Sequence, residues 1–235
     1  MTEQELRKEV ALFYNAIEMM GWDDLIFTPT SVGISGTDHF LIHQYGLMFN
    51  EITPENLVKI DIEGNVVDKG GSIALSSWYL HKAIHEARPE QNWVVHWHTP
   101  EVIALANDLR GVLPISQHAL VVRSGGVVNH RYGGPVVMGS EYTDIQNLLA
   151  SGANFMLMAN HGATILANSP DEAFWNMYNL QMAAEVQVKS GESPILVDRP
   201  VEHHFNSKYE IFRKSIPDNG LWNAIKRKLY RLKQS

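Results

Sequence analysis

The sequence predicts a mixed α/β fold with a largely antiparallel central sheet flanked by helices. Three observations carry that expectation. Strand-like and helix-like segments are interspersed, without the regular alternation that marks a parallel sheet. The chain has 235 residues, 45% of them hydrophobic, enough to bury one full core but short for two domains. No internal repeat or low-complexity linker divides it.

Leu6, Val10, Phe13, Ile17 and Met20 recur at helical spacing, and Gly21 ends that helix. Residues 24–27, 31–35, 39–43 and 57–62 read as short strands, with turns at Gly36-Thr37 and Glu63-Gly64-Asn65. Residues 78–87 read as a helix that Arg88-Pro89 terminates. Residues 92–97 form a buried strand, and Thr99-Pro100-Glu101 opens a helix with an N-cap, a first-turn proline and an acidic side chain. A strand pair is expected near residues 119–123 and 135–138, then a helix over 141–150 that stops at Gly152. Strands at 154–158 and 163–166 precede Ser169-Pro170-Asp171-Glu172, a capping box that starts a helix reaching about Lys189.

Composition narrows the chemistry. With no cysteine, disulfides, thiolate nucleophiles and sulfur-ligated metals are excluded together. A tightly held transition metal must use imidazole or carboxylate, and eleven histidines are available. A net charge of −7 argues against a nucleic-acid partner. The basic stretch Lys226-Arg227-Lys228, Arg231 and Lys233 alternates with Leu221, Trp222, Ile225, Leu229 and Leu232. That is an amphipathic helix suited to covering this protein or a neighbouring subunit. No apolar run approaches the ~18 residues of a membrane span, and the first residues do not resemble a signal peptide. A cytoplasmic protein with no membrane partner is expected.

His96 and His98 lie two apart on a strand, so both side chains leave one face of the sheet. Paired imidazoles at a strand end can chelate one ion, or can simply satisfy hydrogen bonds in the core. His161, in the turn Asn160-His161-Gly162 between two apolar strands, supplies a third imidazole. Gly162 answers to a backbone conformation or a close approach that a side chain would forbid.

These residues sit in longer runs. Arg88-Pro89-Glu90 leading to Val94-Val95-His96-Trp97-His98-Thr99-Pro100 resembles the first metal motif of the class II aldolase/adducin superfamily. Met158-Ala159-Asn160-His161-Gly162-Ala163, followed by Asp171-Glu172-Ala173-Phe174, resembles the second. His39-Phe40-Leu41-Ile42, Gly46-Leu47, Leu57-Val58-Lys59-Ile60-Asp61, Gly64-Asn65-Val66-Val67-Asp68 and Leu113-Pro114-Ile115-Ser116 are similar to the adducin branch. The resemblance covers roughly residues 5–190. It implies a three-layer α/β/α fold over residues 1–200, followed by an extension, 201–235, that carries the amphipathic helix. It also implies a homotetramer with sites near subunit interfaces. His96, His98 and His161 would hold one divalent metal ion: zinc first, with iron, manganese or cobalt as alternatives.

Two departures shape the expected chemistry. Sugar-phosphate aldolases of this family carry Ser-Ser-Glu before the tryptophan, with the glutamate as acid/base. This chain has Ser76-Ser77-Trp78. Phosphate-binding relatives have Thr-Gly where Tyr45-Gly46 stands. The expectation is therefore a metal-dependent lyase that decarboxylates or cleaves a small oxo- or hydroxy-acid and does not use a sugar phosphate. A three-histidine iron oxygenase and a non-catalytic adducin-like scaffold are the alternatives. Tyr132 and Glu101 are the acid/base candidates. Ser76, Ser77, Tyr45, Gly46 and Arg123 are the substrate-binding candidates, Arg123 through a substrate carboxylate. His118, His130 and the pair His203-His204 are weighed as rim residues.

Overall fold

The computed structural model describes residues 1–68, 70–134, 136, 139–215, 220–232 and 234. In chain order, helix α1 (Glu3–Met19) leads into β1 (Thr30–Gly33), β2 (His39–Ile42) and β3 (Val58–Asp61). Helix α2 (Leu75–Ala87), β4 (Trp93–Trp97), α3 (Pro100–Ala106), α4 (Gln117–Ser124) and β5 (Val127–His130) follow. The chain continues through α5 (Ser140–Leu149), β6 (Phe155–Met158), β7 (Gly162–Ala167), α6 (Pro170–Ser190), α7 (Arg199–Ser215) and α8 (Gly220–Leu232).

The seven strands form one sheet in the order β3-β2-β1-β4-β7-β6-β5. Every pairing is antiparallel except β5 with β6, as the irregular element order predicts. Helices cover both faces. Trp93, Val95 and Trp97 of β4 pack with α1 and α6 in the main core. Val94, between them, packs with Leu80 of α2, Ile145 of α5 and Met156 of β6 on the opposite face. Strand alternation puts His96 on the α2 side, and that places the site. Among the described residues, no helix is long and apolar enough to cross a membrane.

Several local expectations are corrected. Residues 24–27 form no strand, because Leu25 (φ 54°) and Thr28 (φ 61°) turn the backbone into the left-handed region. Residues 119–123 belong to helix α4 despite Val121-Val122. Ser116 accepts a hydrogen bond from the Ala119 N–H (3.1 Å) and caps the helix, whose apolar side packs on α6. The strand partner of β6 is instead β5, beyond Gly125-Gly126. Most of residues 135–138 lie outside the described residues. Helix α2 begins three residues earlier than its apolar pattern suggests and so includes Ser76 and Ser77. Thr99 precedes α3 as expected, but its hydroxyl donates to Gln181 (2.7 Å) and makes no cap bond.

Candidate metal centre

His96 projects from β4 toward α2, and His98 lies just past the strand end. His161 is delivered by the β6–β7 hairpin, a tight turn with Asn160 in the left-handed conformation (φ 59°). The His161 N–H donates to the Met158 carbonyl (3.0 Å), and the Asn160 N–H donates to Asn107 Oδ1 (2.6 Å). Gly162 seats this hairpin on the end of β4. A Cβ there would lie 2.4 Å from the Trp97 carbonyl oxygen and 2.8 Å from His98 Cδ2. The glycine thus serves close approach, while Asn160 carries the positive φ.

The result is convergence. His98 Nε2 lies 2.7 Å from His96 Nε2, which lies 3.3 Å from His161 Nε2. Outer contacts assign the protons. His96 Nδ1 faces the Ala163 carbonyl (2.9 Å) and Thr164 Oγ1 (3.1 Å); a carbonyl only accepts, so Nδ1 carries the hydrogen. His98 Nδ1 donates to the Asp24 carboxylate (3.0 Å). With both rings neutral, the two Nε2 lone pairs face one another across 2.7 Å, an arrangement that a bound cation would satisfy. A divalent ion about 2.0–2.1 Å from each imidazole would set the nitrogens roughly 3.3 Å apart, the spacing found between His96 and His161. The His98 ring, 2.7 Å from His96, would swing outward by about half an ångström to share it. Burial, reinforced by the neighbouring imidazoles, pushes His96 well below the usual histidine range. Burial likewise lowers His161 to about 4. Both are neutral at physiological pH, the state a metal requires. The residues present fit a divalent ion.

The three imidazoles form the floor of a cavity of about 300 Å³. Ser76, Ser77, Leu80, Phe27, Pro29 and Tyr132 are prominent in its walls. The Tyr132 ring lies 6.3 Å from that of His161, and the side chain is half-exposed. Tyr45 lines a narrower cleft that shares Phe27, Pro29 and Ser77 with this cavity, and Gly46 follows it at φ 95°.

The other candidates lie elsewhere. The Arg123 guanidinium donates to Glu202 of α7 and to the Val112 carbonyl, so it is spent on holding α7 to α4. Glu101 occupies the first turn of α3 and does not line the cavity. His118 pairs with Asn179 (2.9 Å). His130 lies buried 3.1 Å from Glu141. His203 and His204 are exposed on α7.

Asp24 is the residue that sequence reasoning missed. Its contact with His98 spans 74 positions, and no spacing rule connects the two. Behind the cavity wall, Ser31 Oγ lies 2.7 Å from both His81 Nδ1 and His85 Nε2 in a fully buried cluster.

The family model described as class II aldolase and adducin N-terminal domain matches residues 8–188. A Pseudomonas aeruginosa protein named for the class 2 aldolases is 38% identical over 187 residues, 79% of this chain and 71% of its own. Rat alpha-adducin is 36% identical over 192 residues, 80% of this chain; the match spans only 26% of the adducin. The crystal structure of an aldolase II superfamily protein from Pseudomonas syringae superposes with a TM-score of 0.89 at 33% identity, covering 97% of this chain and 93% of that one.

Proposed function

This chain belongs to the class II aldolase and adducin family, and on that premise we propose that it is a divalent-metal-dependent lyase. It cleaves or decarboxylates a small oxo- or hydroxy-acid. The observation that carries this reading is the convergence of the His96, His98 and His161 Nε2 atoms in the lining of one cavity. Zinc suits three neutral imidazoles, and a homotetramer is the assembly we expect.

When bound, a divalent ion supplies Lewis acidity that stabilises negative charge on substrate oxygens as a carbon–carbon bond breaks. The chain's own residues do the rest. Ala163 and Thr164 fix the His96 ring, and Asp24 fixes the His98 ring. Ser76 and Ser77 offer hydroxyls from the first turn of α2 for orienting the substrate. Decarboxylation releases carbon dioxide and leaves a carbanion that needs one proton. The phenol of Tyr132, at the cavity mouth, returns it. Aldol cleavage also requires a base to take a hydroxyl proton, a positioned group worth about 10²–10⁴-fold. Ser77 is too weak a base to serve, so decarboxylation suits these walls better. With Arg123 and Glu101 outside the cavity, neither enters this mechanism.

The test is a metal analysis joined to a screen of oxo- and hydroxy-acids for carbon dioxide release and carbon–carbon cleavage, with oxygen uptake read in parallel. Near-stoichiometric zinc and cleavage of one such acid support the lyase. Iron with substrate-dependent oxygen uptake would overturn it in favour of an oxygenase that uses the same three histidines. A second reading, a non-catalytic adducin-like scaffold, rests on the 36% identity to alpha-adducin. It predicts no metal and no turnover.

A further inference from the structure

We infer that the substrate carries an apolar substituent, branched alkyl or aryl, beside its chelating oxygens, and no phosphate. The inference rests on the lyase reading above and deepens it.

The cavity lining mixes two characters. Beside the three imidazoles stand Phe27, Pro29, Leu80 and Val136, a block of hydrocarbon larger than any other part of the lining. Thr28, Ser76, Ser77, Tyr132 and Asn160 are the other polar residues. Leu80 and Val136 are fixed in place, both buried in the apolar cluster between α2 and the sheet. Phe27 is 49% exposed at the mouth, a large ring held facing solvent. It is held there by a segment whose backbone is unusual. Leu25 and Thr28 both adopt positive φ, and the Phe27 N–H donates back to the Asp24 carbonyl (2.9 Å). A β-branched threonine in the left-handed region is strained, and such strain clusters where a neighbouring side chain must be aimed. Beyond Phe27 and Pro29 the adjoining cleft adds Ile26, Ile42 and Ala74, together with His43, Tyr45 and Ser77.

Charge points the same way. Among the described residues, no lysine or arginine lines the cavity or the cleft. The cations of α2 and its end are engaged elsewhere: Lys82 with Glu63 (2.7 Å), Arg88 with Glu90 and the Ala153 carbonyl. A divalent ion on three neutral imidazoles, with Asp24 behind His98, leaves a net charge near +1. A monocarboxylate chelated there neutralises it. A phosphate in the cavity would meet hydrocarbon, neutral hydroxyls and the Asn160 amide but no cationic side chain, and the Thr28 hydroxyl is already donated to the Phe27 carbonyl (2.6 Å). The wall removes apolar surface from water, and what it offers an anion is limited to neutral groups, Ser76 and Ser77 among them.

The experiment titrates full-length, zinc-loaded protein by calorimetry with lactate, 2-hydroxyisocaproate, 3-phenyllactate and L-fuculose 1-phosphate. Affinity is expected to rise by about 10-fold or more from lactate to phenyllactate. Leu80→Ser should remove most of that increment. Phe27→Ala, at an exposed position that leaves the core intact, should reduce it independently. Equal affinity for lactate and phenyllactate, or tighter binding of the sugar phosphate, overturns the inference while leaving a chelating site. Failure of every hydroxy-acid, lactate included, on protein shown to carry zinc overturns the inference; the lyase reading falls separately, when the screen of oxo- and hydroxy-acids also shows no carbon dioxide release or cleavage.

Discussion

Asp24 holds one hydrogen bond of consequence, to His98 Nδ1, and its removal tests whether that bond sets the metal affinity. Asp24→Asn keeps the shape and loses the charge, so the His98 ring is less firmly held. Affinity should fall about 10–100-fold, measured by competition with a chromogenic chelator. His96→Ala, His98→Ala and His161→Ala should each lower occupancy further, to a small fraction of wild type by elemental analysis. A variant that retains full metal removes its residue from the ligand set. Gly162→Ala probes the same site from the backbone. Its methyl would meet the Trp97 carbonyl oxygen at 2.4 Å, and two strand ends would have to part. The expected cost is about 1–3 kcal/mol of stability by denaturant unfolding, with weaker chelation as His161 recedes. The histidines were legible because strand periodicity and a hairpin turn constrain them locally. Asp24 was not, because only the folded path of residues 21–30 brings it to His98.

Elements were legible where pattern and packing agree. Helix α6 is announced by its cap and carried by apolar spacing: Ser169 Oγ accepts from the Glu172 N–H (3.1 Å). Helix α4 was not legible. Val121 and Val122 favour a strand in isolation, and packing against α6 overrides that preference. β5 was missed because it is short and half-buried, and its parallel partner lies 28 residues further on. Helix α7 escaped because its ordering contacts are tertiary: Arg123 with Glu202, Ser124 with Asn206, Trp175 with Tyr209. The amphipathic α8 was read correctly as a covering helix, and the structure gives its surface. Trp222 is 1% exposed, packed against Phe13 of α1 and Phe174 of α6. Its indole donates to Glu9, and its backbone N–H donates to Asp171, which also pairs with Arg213. Trp222→Ala should therefore cost about 3–5 kcal/mol of fold stability, read by chemical denaturation. A change in assembly by light scattering with an unchanged denaturation midpoint would contradict this placement.

Across the whole molecule, the buried histidines couple stability to acidity. Burial lowers His43 to about 4 and His85 to about 3, and drives His81 well below its usual range. None of the three belongs to the proposed ligand set, and all are packed between α2 and β1 or beside Tyr14. Above pH 6.5 each is neutral in both the folded and unfolded chain, so none affects stability. Below 6.5 the unfolded chain takes up protons that the folded chain refuses. Stability therefore falls with falling pH until the folded values near 3–4 are reached. For His43 the gap from 6.5 to about 4, at 1.36 kcal/mol per pH unit, is on the order of 3 kcal/mol. A few such groups can consume much of a domain's typical 5–15 kcal/mol. Denaturant unfolding of chelator-treated, full-length protein at pH 7.5, 6.5, 5.5 and 4.5 removes metal release and leaves the buried histidines, with His96 and His161 acting in the same direction. The midpoint should hold between the first two and drop steeply across the last two. His43→Gln removes one titrating group while keeping a polar side chain, so its curve should be shallower over pH 4.5–6.5, whatever its offset at pH 7.5. A wild-type midpoint that stays level from pH 6.5 to 4.5 would mean that these imidazoles gain protons in the fold, and that the cluster behind the cavity is wet.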